Sequence, residues 1–434
     1  MYPQKSRDNF TYFNNGKIQV MSRRRVDPQP PSEKVSRSEN RGKRGQRGQR
    51  GRRAAKAGAV ATITVDRPHG LAVLSHSDRR LLAIVVGVSI AAGILHNTNG
   101  NPVLSFLAAT VALGAIARLV VRSVEAISDR IGQGLNGTLQ SLLGNLPEIF
   151  VILFALKAGL YEIVKATIVG SVIANILLVM GIAFVVSGRK FGRQAFNVVS
   201  ARQLSMLLAL SVFALAIPSL AASFNTPAVE HERQITVIIS LLLIVLFLAS
   251  IPDTIRHVDH ESPVTGTNEA LVAAAEADEH GQWPFNIAAL MVLVAITGSI
   301  VVSSWFVDVL PTAMSTLGIS EAFAGLIIVA LASNVVEGFS GIQLAARGQQ
   351  SYALQIILQS PVQVAMIIAP LIALAAPLVG AATFTLVLSP LLLAVMFMAV
   401  FIAIVVVSDG QSTWFEGAAL ITLYLGIATA FWWS

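Results

Sequence analysis

The sequence predicts an all-α polytopic membrane protein with about eleven transmembrane helices, built as two inverted five-helix repeats behind one extra N-terminal helix. Three observations lead there. The composition is that of a membrane chain, the apolar residues fall in runs of bilayer length, and one polar motif occurs twice inside those runs. Of 434 residues, 54% are hydrophobic and 13% charged, against about 25% charged in an ordinary soluble domain. The mean hydropathy is +0.68. A soluble core of this size would need a more polar surface to cover it.

The apolar segments lie near 81–96, 103–121, 136–158, 163–187, 204–223, 234–252, 285–307, 322–346, 353–376, 381–407 and 414–432. Each approaches the roughly 20 residues that a helix needs to cross a bilayer. Trp283, Trp305, Trp414, Trp432 and Trp433 fall at or near segment ends, which predicts an aromatic belt at the membrane surfaces. The first run begins near Leu81, too deep for a cleavable leader, and reads as an inserted first helix.

Charge divides the chain further. Residues 1–56 hold 16 Lys/Arg and 4 Asp/Glu, a net of +12, so the remainder is net −5 within an overall +7. Residues 1–77 read as a disordered basic tail, with Arg41 to Arg53 a low-complexity run that has no apolar face to bury. A solvated tail and a contact with anionic lipid are both open; nucleic acid is not an expected partner. With this tail in the cytoplasm, the loops on its side carry Arg118, Arg122, Arg130, Arg189, Lys190, Arg193, Arg202, Arg256 and Arg347, and the other side only Lys157, Lys165 and Arg233. The positive-inside rule thus gives a cytoplasmic N-terminus. A bacterial-type plasma membrane is expected, since no organellar address is present. The expected domains are the tail, residues 78–252 as the first helix and first half, 253–284 as an acidic cytoplasmic linker, and 285–434 as the second half.

The halves echo each other at one place. Gly144-Asn145-Leu146-Pro147-Glu148 lies in the third segment and Ser333-Asn334-Val335-Val336-Glu337 in the eighth, 189 residues apart. At the same offset Gly159 matches Gly348, Ile168 matches Ile357 and Ser171 matches Ser360. Segments five apart run in opposite directions, so the repeat is inverted, a plan that places a transporter's site near the midplane where the copies meet.

Glu148 and Glu337 are the strongest chemical signal. A carboxylate at that depth costs several kcal/mol unless it is protonated, paired or metal-bound. One reading keeps each glutamate permanently neutral and hydrogen-bonded, and another pairs it with a positive side chain, although no Lys or Arg lies near either in sequence; the repeat favours a third, groups that bind a cation and take up protons when it leaves. Asn145 and Asn334 precede the glutamates by three residues, while Ser171 with Asn175 and Ser360 with Gln363 put polar faces on the fourth and ninth segments. All offer hard oxygen ligands of the kind Ca²⁺ takes six to eight of. Packing through small residues is the other reading of Ser171 and Ser360. The absence of cysteine excludes disulfides and thiolate metal sites. Without a Walker-type loop a primary pump is not expected, and no cofactor is expected beside the transported ions.

At these residues the chain resembles the cation/proton exchangers of the calcium–cation antiporter superfamily. The motifs that carry the resemblance are Gly144-Asn145-x-x-Glu148 with Gly170-Ser171-x-x-x-Asn175, and Asn334-x-x-Glu337 with Ser360-x-x-Gln363. Asp409 to Gly417 is also similar to that family's ending, and the resemblance spans roughly residues 81–434. It implies that Glu148 and Glu337 hold Ca²⁺ and exchange it for protons, that Asn145, Asn334, Ser360 and Gln363 line the site, and that the protein is a secondary antiporter in the lipid bilayer. Ser333 and Gln359 stand where that family has Gly, and Gly338 where many members have His, which leaves Na⁺, K⁺ or Mn²⁺ open as cargo. A monovalent cation/proton antiporter, a cation channel and a transport-dead sensor are the rival readings.

Overall fold

Inside a bilayer each backbone N–H and C=O must find its partner within the protein, and long runs of Leu, Ile, Val and Ala do so as helices. The computed structural model describes residues 10–14, 17–21, 74–98, 101–128, 143–224, 226–260 and 283–433, without the side chains of 10–21, 128, 251–260, 336 and 337. Eleven helices follow in order: α1 (His76–Asn97), α2 (Pro102–Ser128), α3 (Leu146–Lys157), α4 (Tyr161–Phe191), α5 (Val198–Ser223), α6 (Glu232–His260), α7 (Phe285–Leu317), α8 (321–346), α9 (Gln350–Val379), α10 (Pro390–Val407) and α11 (Trp414–Trp432).

Among the described residues, nine helices are long and apolar enough to span a membrane, or ten if α8, broken between Val335 and Gly338, counts as one span. The expected count of eleven spanning helices is therefore not reached among the described residues. The third expected segment is described only as the 12-residue α3, and its start lies outside the described residues. The tenth segment is also shorter than expected. Gly380, at φ +87°, closes α9, and α10 starts only at Pro390 behind an Ser389 cap. The irregular chain between them is tied to α5: Ser219 Oγ accepts from Leu388 N at 2.8 Å and donates to Leu386 O at 3.4 Å.

Two features recur at the repeat spacing. Gly159 and Gly348 both turn the chain in the left-handed region, at φ +78° and +79°, where glycine has no Cβ to clash. A π-helical stretch interrupts α4 at Ala174–Val179 and α9 at Val364–Ile368. A third π stretch, Ala324–Val329, lies in α8.

Helix α4 is the centre of the bundle. It lies so close to α8 that a Cβ added at Gly325 would meet Ile163 O at 2.6 Å and Ala166 Cβ at 2.7 Å, and one at Gly170 would strike the backbone of Leu326. On its other side, a Cβ at Gly417 of α11 would come within 2.5 Å of Gly181 O. A two-residue antiparallel pair, β3 (Gln194–Ala195) with β4 (Gln411–Ser412), joins the loops that follow α4 and α10.

Helix α1 is fixed by one buried cluster. Ser75 and Asp78 form a reciprocal capping box. The Asp78 carboxylate, 1% exposed, then accepts from Arg122 Nε at 3.1 Å and Trp283 Nε1 at 2.8 Å, with the guanidinium 5.0 Å from the Trp283 ring centre. The aromatic belt is thereby corrected. Trp283 is buried as the partner of Asp78, and Trp305 stacks on His96 of α1, whereas Trp414, Trp432 and Trp433 are exposed. Apolar bulk and a polar N–H suit an indole to a buried carboxylate as well as to a membrane surface.

Two more expectations change. Helix α6 runs to His260, so residues 253–260 of the acidic linker are helical, and residues 261–282 lie outside the described ones. Residues 1–77 read as disordered, yet Phe10–Asn14 (β1) pairs antiparallel with Lys17–Met21 (β2), and α1 begins at His76. The β-forming run Phe-Thr-Tyr-Phe, the Ile and Val of the second strand, and the intervening Asn15-Gly16 are hairpin signals that the tail's basic composition obscures. The rest of that tail, Arg41 to Arg53 included, lies outside the described residues.

Candidate ion-binding site

Seven of the eight residues marked out by sequence meet in one buried cluster. Asn145, Glu148, Ser171, Asn175, Asn334, Ser360 and Gln363 are each at most 4% exposed. The first half supplies the N-terminus of α3 and the middle of α4, and the second half supplies α8 and α9. The eighth, Glu337, stands three residues beyond Asn334 in α8, and its side chain lies outside the described residues.

Local sequence sets each position. Asn145 is the residue before α3, Pro147 occupies its first turn, and Glu148 follows in that same turn. A carboxylate at a helix N-terminus meets the positive end of the backbone dipole. Ser171 and Asn175 are one turn apart on α4, and Asn175 lies within the π stretch, a helical irregularity frequent at functional sites. On α9, Ser360 and Gln363 immediately precede the matching π stretch.

The hydrogen bonds cross between halves. Ser171 Oγ donates to Glu148 Oε1 and accepts from Asn334 Nδ2 at 3.0 Å. Asn145 Nδ2 donates to Gln363 Oε1 at 3.2 Å. Asn175 Nδ2 lies 2.9 Å from Ser171 O, 3.2 Å from Asn334 Oδ1 and 3.3 Å from Ser360 Oγ. Two amide protons thus serve three acceptors, while Asn175 Oδ1 is buried with no donor among the described residues. Ser171 is more than a small packing residue, since its hydroxyl joins the glutamate to the opposite half.

Chemically, this is a pocket of amide, hydroxyl and carboxylate oxygens with no basic side chain among those contacts. Among the described residues no group of three or more His, Asp, Glu or Cys is close enough to hold a metal, so ligation would combine glutamate with neutral oxygens. Such a set suits a hard cation and gives a soft metal no preferred atom. Asn334 also donates to Ala330 O at 2.9 Å. Replacing it with Ala should raise the half-saturating cation concentration about tenfold, the size of one to two hydrogen bonds, without loss of folded protein. Initial rates against cation concentration would show it.

Sequence reasoning missed Thr167, one turn before Ser171 on α4 and 1% exposed, and the Asp78–Arg122–Trp283 cluster. The fourfold spacing to Ser171 was the available signal for Thr167. Nothing in sequence joins Trp283 to Asp78.

Comparison with known proteins bears on the family and the fold. The sodium/calcium exchanger protein family matches residues 101–251 and 287–433. The Ca²⁺/H⁺ antiporter ChaA of Bacillus subtilis is 32% identical over 355 residues, covering 81% of this chain and 97% of the relative. A vacuolar calcium ion transporter of Schizosaccharomyces pombe is 28% identical, covering 83% of this chain and 86% of its own. Among solved structures, native YfkE is similar with a TM-score of 0.68 at 28% identity, covering 82% of this chain and all of that one. The H⁺/Ca²⁺ exchanger CAX shares the fold at a TM-score of 0.63 and 17% identity, over 81% of this chain and 91% of that one.

Proposed function

This chain belongs to the sodium/calcium exchanger protein family, and from that premise we propose that it exchanges Ca²⁺ for protons by alternating access, with Glu148 and Glu337 as the groups that hold the ion. As an exchanger it is a secondary transporter and not an enzyme. One observation carries the reading of the site: a fully buried Glu148 bonded to Ser171, whose hydroxyl is in turn held by Asn334 of the other half.

The residues suggest how coupling works. Within the network Asn145 and Asn334 donate to amide and hydroxyl oxygens and Ser171 to the glutamate, while Asn175 Oδ1 has no donor among the described residues. An arriving Ca²⁺ competes for those same oxygens, and the amides of Asn145, Asn175 and Asn334 can turn their carbonyls to it. When the ion leaves, carboxylates in a low dielectric are costly as anions, so protons take its place. The site never crosses the membrane bare and charged, which makes the movement of ion and protons obligatorily opposed. Because the network draws on both halves, a movement of one half against the other would break it on one side at a time. A bacterial-type plasma membrane with a cytoplasmic N-terminus completes the proposal.

The test uses inside-out vesicles with a preformed proton gradient, read by a pH-sensitive dye. Added Ca²⁺ should dissipate the gradient, and Mg²⁺ should not. Dissipation by Na⁺ or K⁺ with silence on Ca²⁺ would keep the site and replace the cargo. Large currents driven by salt alone would replace the exchanger with a channel.

A further inference from the structure

Where α4 begins, a cavity of about 250 Å³ lies among Leu160 and Ile163 of the α4 start, Pro311, Met314 and Ser315 of α7, and Glu321 at the start of α8. From Ile163 one face of α4 leads inward through Thr167 to Ser171, in steps of four residues or about 6 Å of helix each. Ile163, Thr167 and Ser171 are all buried.

Thr167 is the unusual member of that stripe. Its hydroxyl is buried and has no hydrogen-bond partner among the described residues. Thr110, Thr297, Thr422 and Thr429 instead donate to the carbonyl four residues back, at 2.7–2.9 Å. The equivalent carbonyl for Thr167 belongs to Ile163, against which Gly325 is pressed. A buried hydroxyl without a partner is unfavourable, and here it lies between a cavity and the proposed ion site. At the cavity itself Glu321 is exposed and makes no ion pair among the described residues, while the neighbouring Glu162 is already bound to Lys165 at 3.0 Å.

We propose that this cavity opens the route by which a hard divalent cation reaches the buried site from the N-terminal end of α4, with Glu321 drawing the ion into the mouth and Thr167 as an oxygen ligand halfway. The route rests on Glu148 marking the transport site. It is closed in this structure, since Gly170 and Gly325 hold α4 onto α8 at the level of Thr167, and it conducts when that contact loosens.

The sequence contains no cysteine, so single-cysteine variants carry no background. In reconstituted vesicles, the Thr167→Cys protein should react with a small membrane-impermeant thiosulfonate applied at the α4 N-terminal side, and saturating Ca²⁺ should slow that reaction severalfold. Ala166→Cys, facing Gly325, should stay unreactive. Thr167→Val should raise the half-saturating Ca²⁺ concentration severalfold, and Thr167→Ser should keep the wild-type value, a contrast that a packing role would not produce. Glu321→Gln should weaken Ca²⁺ capture at low ionic strength and much less at high, as screening requires. A Thr167→Cys protein inert to reagent while Ile163→Cys reacts would overturn the route, as would an unchanged half-saturation in Thr167→Val. Glu148→Gln, run alongside, separates the two claims: transport in that variant removes the site itself, while its silence beside an inert Thr167→Cys removes only the route.

Discussion

Glu148→Gln should abolish cation-driven proton movement while the protein still inserts and folds. The substitution keeps the shape and lets Ser171 continue to donate to the side-chain oxygen, so the network that holds α3, α4 and α8 together survives. On the proposed mechanism, what disappears is the ability to carry a negative charge when the ion is bound and a proton when it is not. A site that cannot change protonation cannot couple, and the loss should approach the background of empty vesicles. Proton-gradient dissipation by Ca²⁺, measured beside monodispersity of the purified protein in detergent, separates lost chemistry from lost fold. Wild-type exchange by a well-folded variant would remove Glu148 from the mechanism. Glu337→Gln should give the same result if the two copies of the repeat share the work.

The second large effect is structural. Gly325→Val should destabilise the bundle and depress transport together. A Cβ there meets a backbone oxygen and another Cβ at 2.6 and 2.7 Å, and neither can rotate away. Overpacking of a close-packed core costs about 1–3 kcal/mol even where side chains can adjust, and here α8 would have to move off α4. Because Ser171 and Asn334 bond across that same pair of helices, their 3.0 Å contact should lengthen in proportion. Gly114→Val is the control, since a Cβ at Gly114 meets nothing within 4 Å. A fall in detergent Tm for Gly325→Val, with Gly114→Val near wild type, is the expected result. Equal Tm values would mean that the helices are less tightly apposed than this packing requires.

How much of this could be read from the chain depends on how rare each signal is. Asn, Glu, Ser and Gln are scarce in apolar segments, so two copies of one pattern, 189 residues apart, stood out, and seven of those eight side chains do meet. The helices α4 and α11 were legible for a similar reason, since each is a long apolar run with charges only near its ends, whereas α7, expected over 285–307, continues past Asp308 to Leu317. The π stretches were not, because α and π turns use the same apolar residues and differ only in which carbonyl each N–H finds. Trp283 looked like a surface anchor because its position in sequence says nothing of Asp78, 205 residues away. Thr167 was passed over because a threonine in a membrane helix ordinarily bonds its own backbone, and only coordinates reveal that this one does not. The late start of α10 was written in Ser389-Pro390, a helix-start signal that the continuous hydropathy of the segment masked.

The fit of Gly181 against Gly417 has a bearing on how the protein is made. Helix α4 carries Ser171 and Asn175, but one of its flanks is covered by α11, which a ribosome delivers after every other helix described. Until then the flank of α4 at Gly181 lacks its partner, and the proposed ion site has an unsupported wall. Assembly of that wall is therefore a late event in biogenesis. Nascent chains stalled before Trp414 should hold most of the helices yet bind no cation, so a leaky half-built exchanger would not burden the membrane during synthesis.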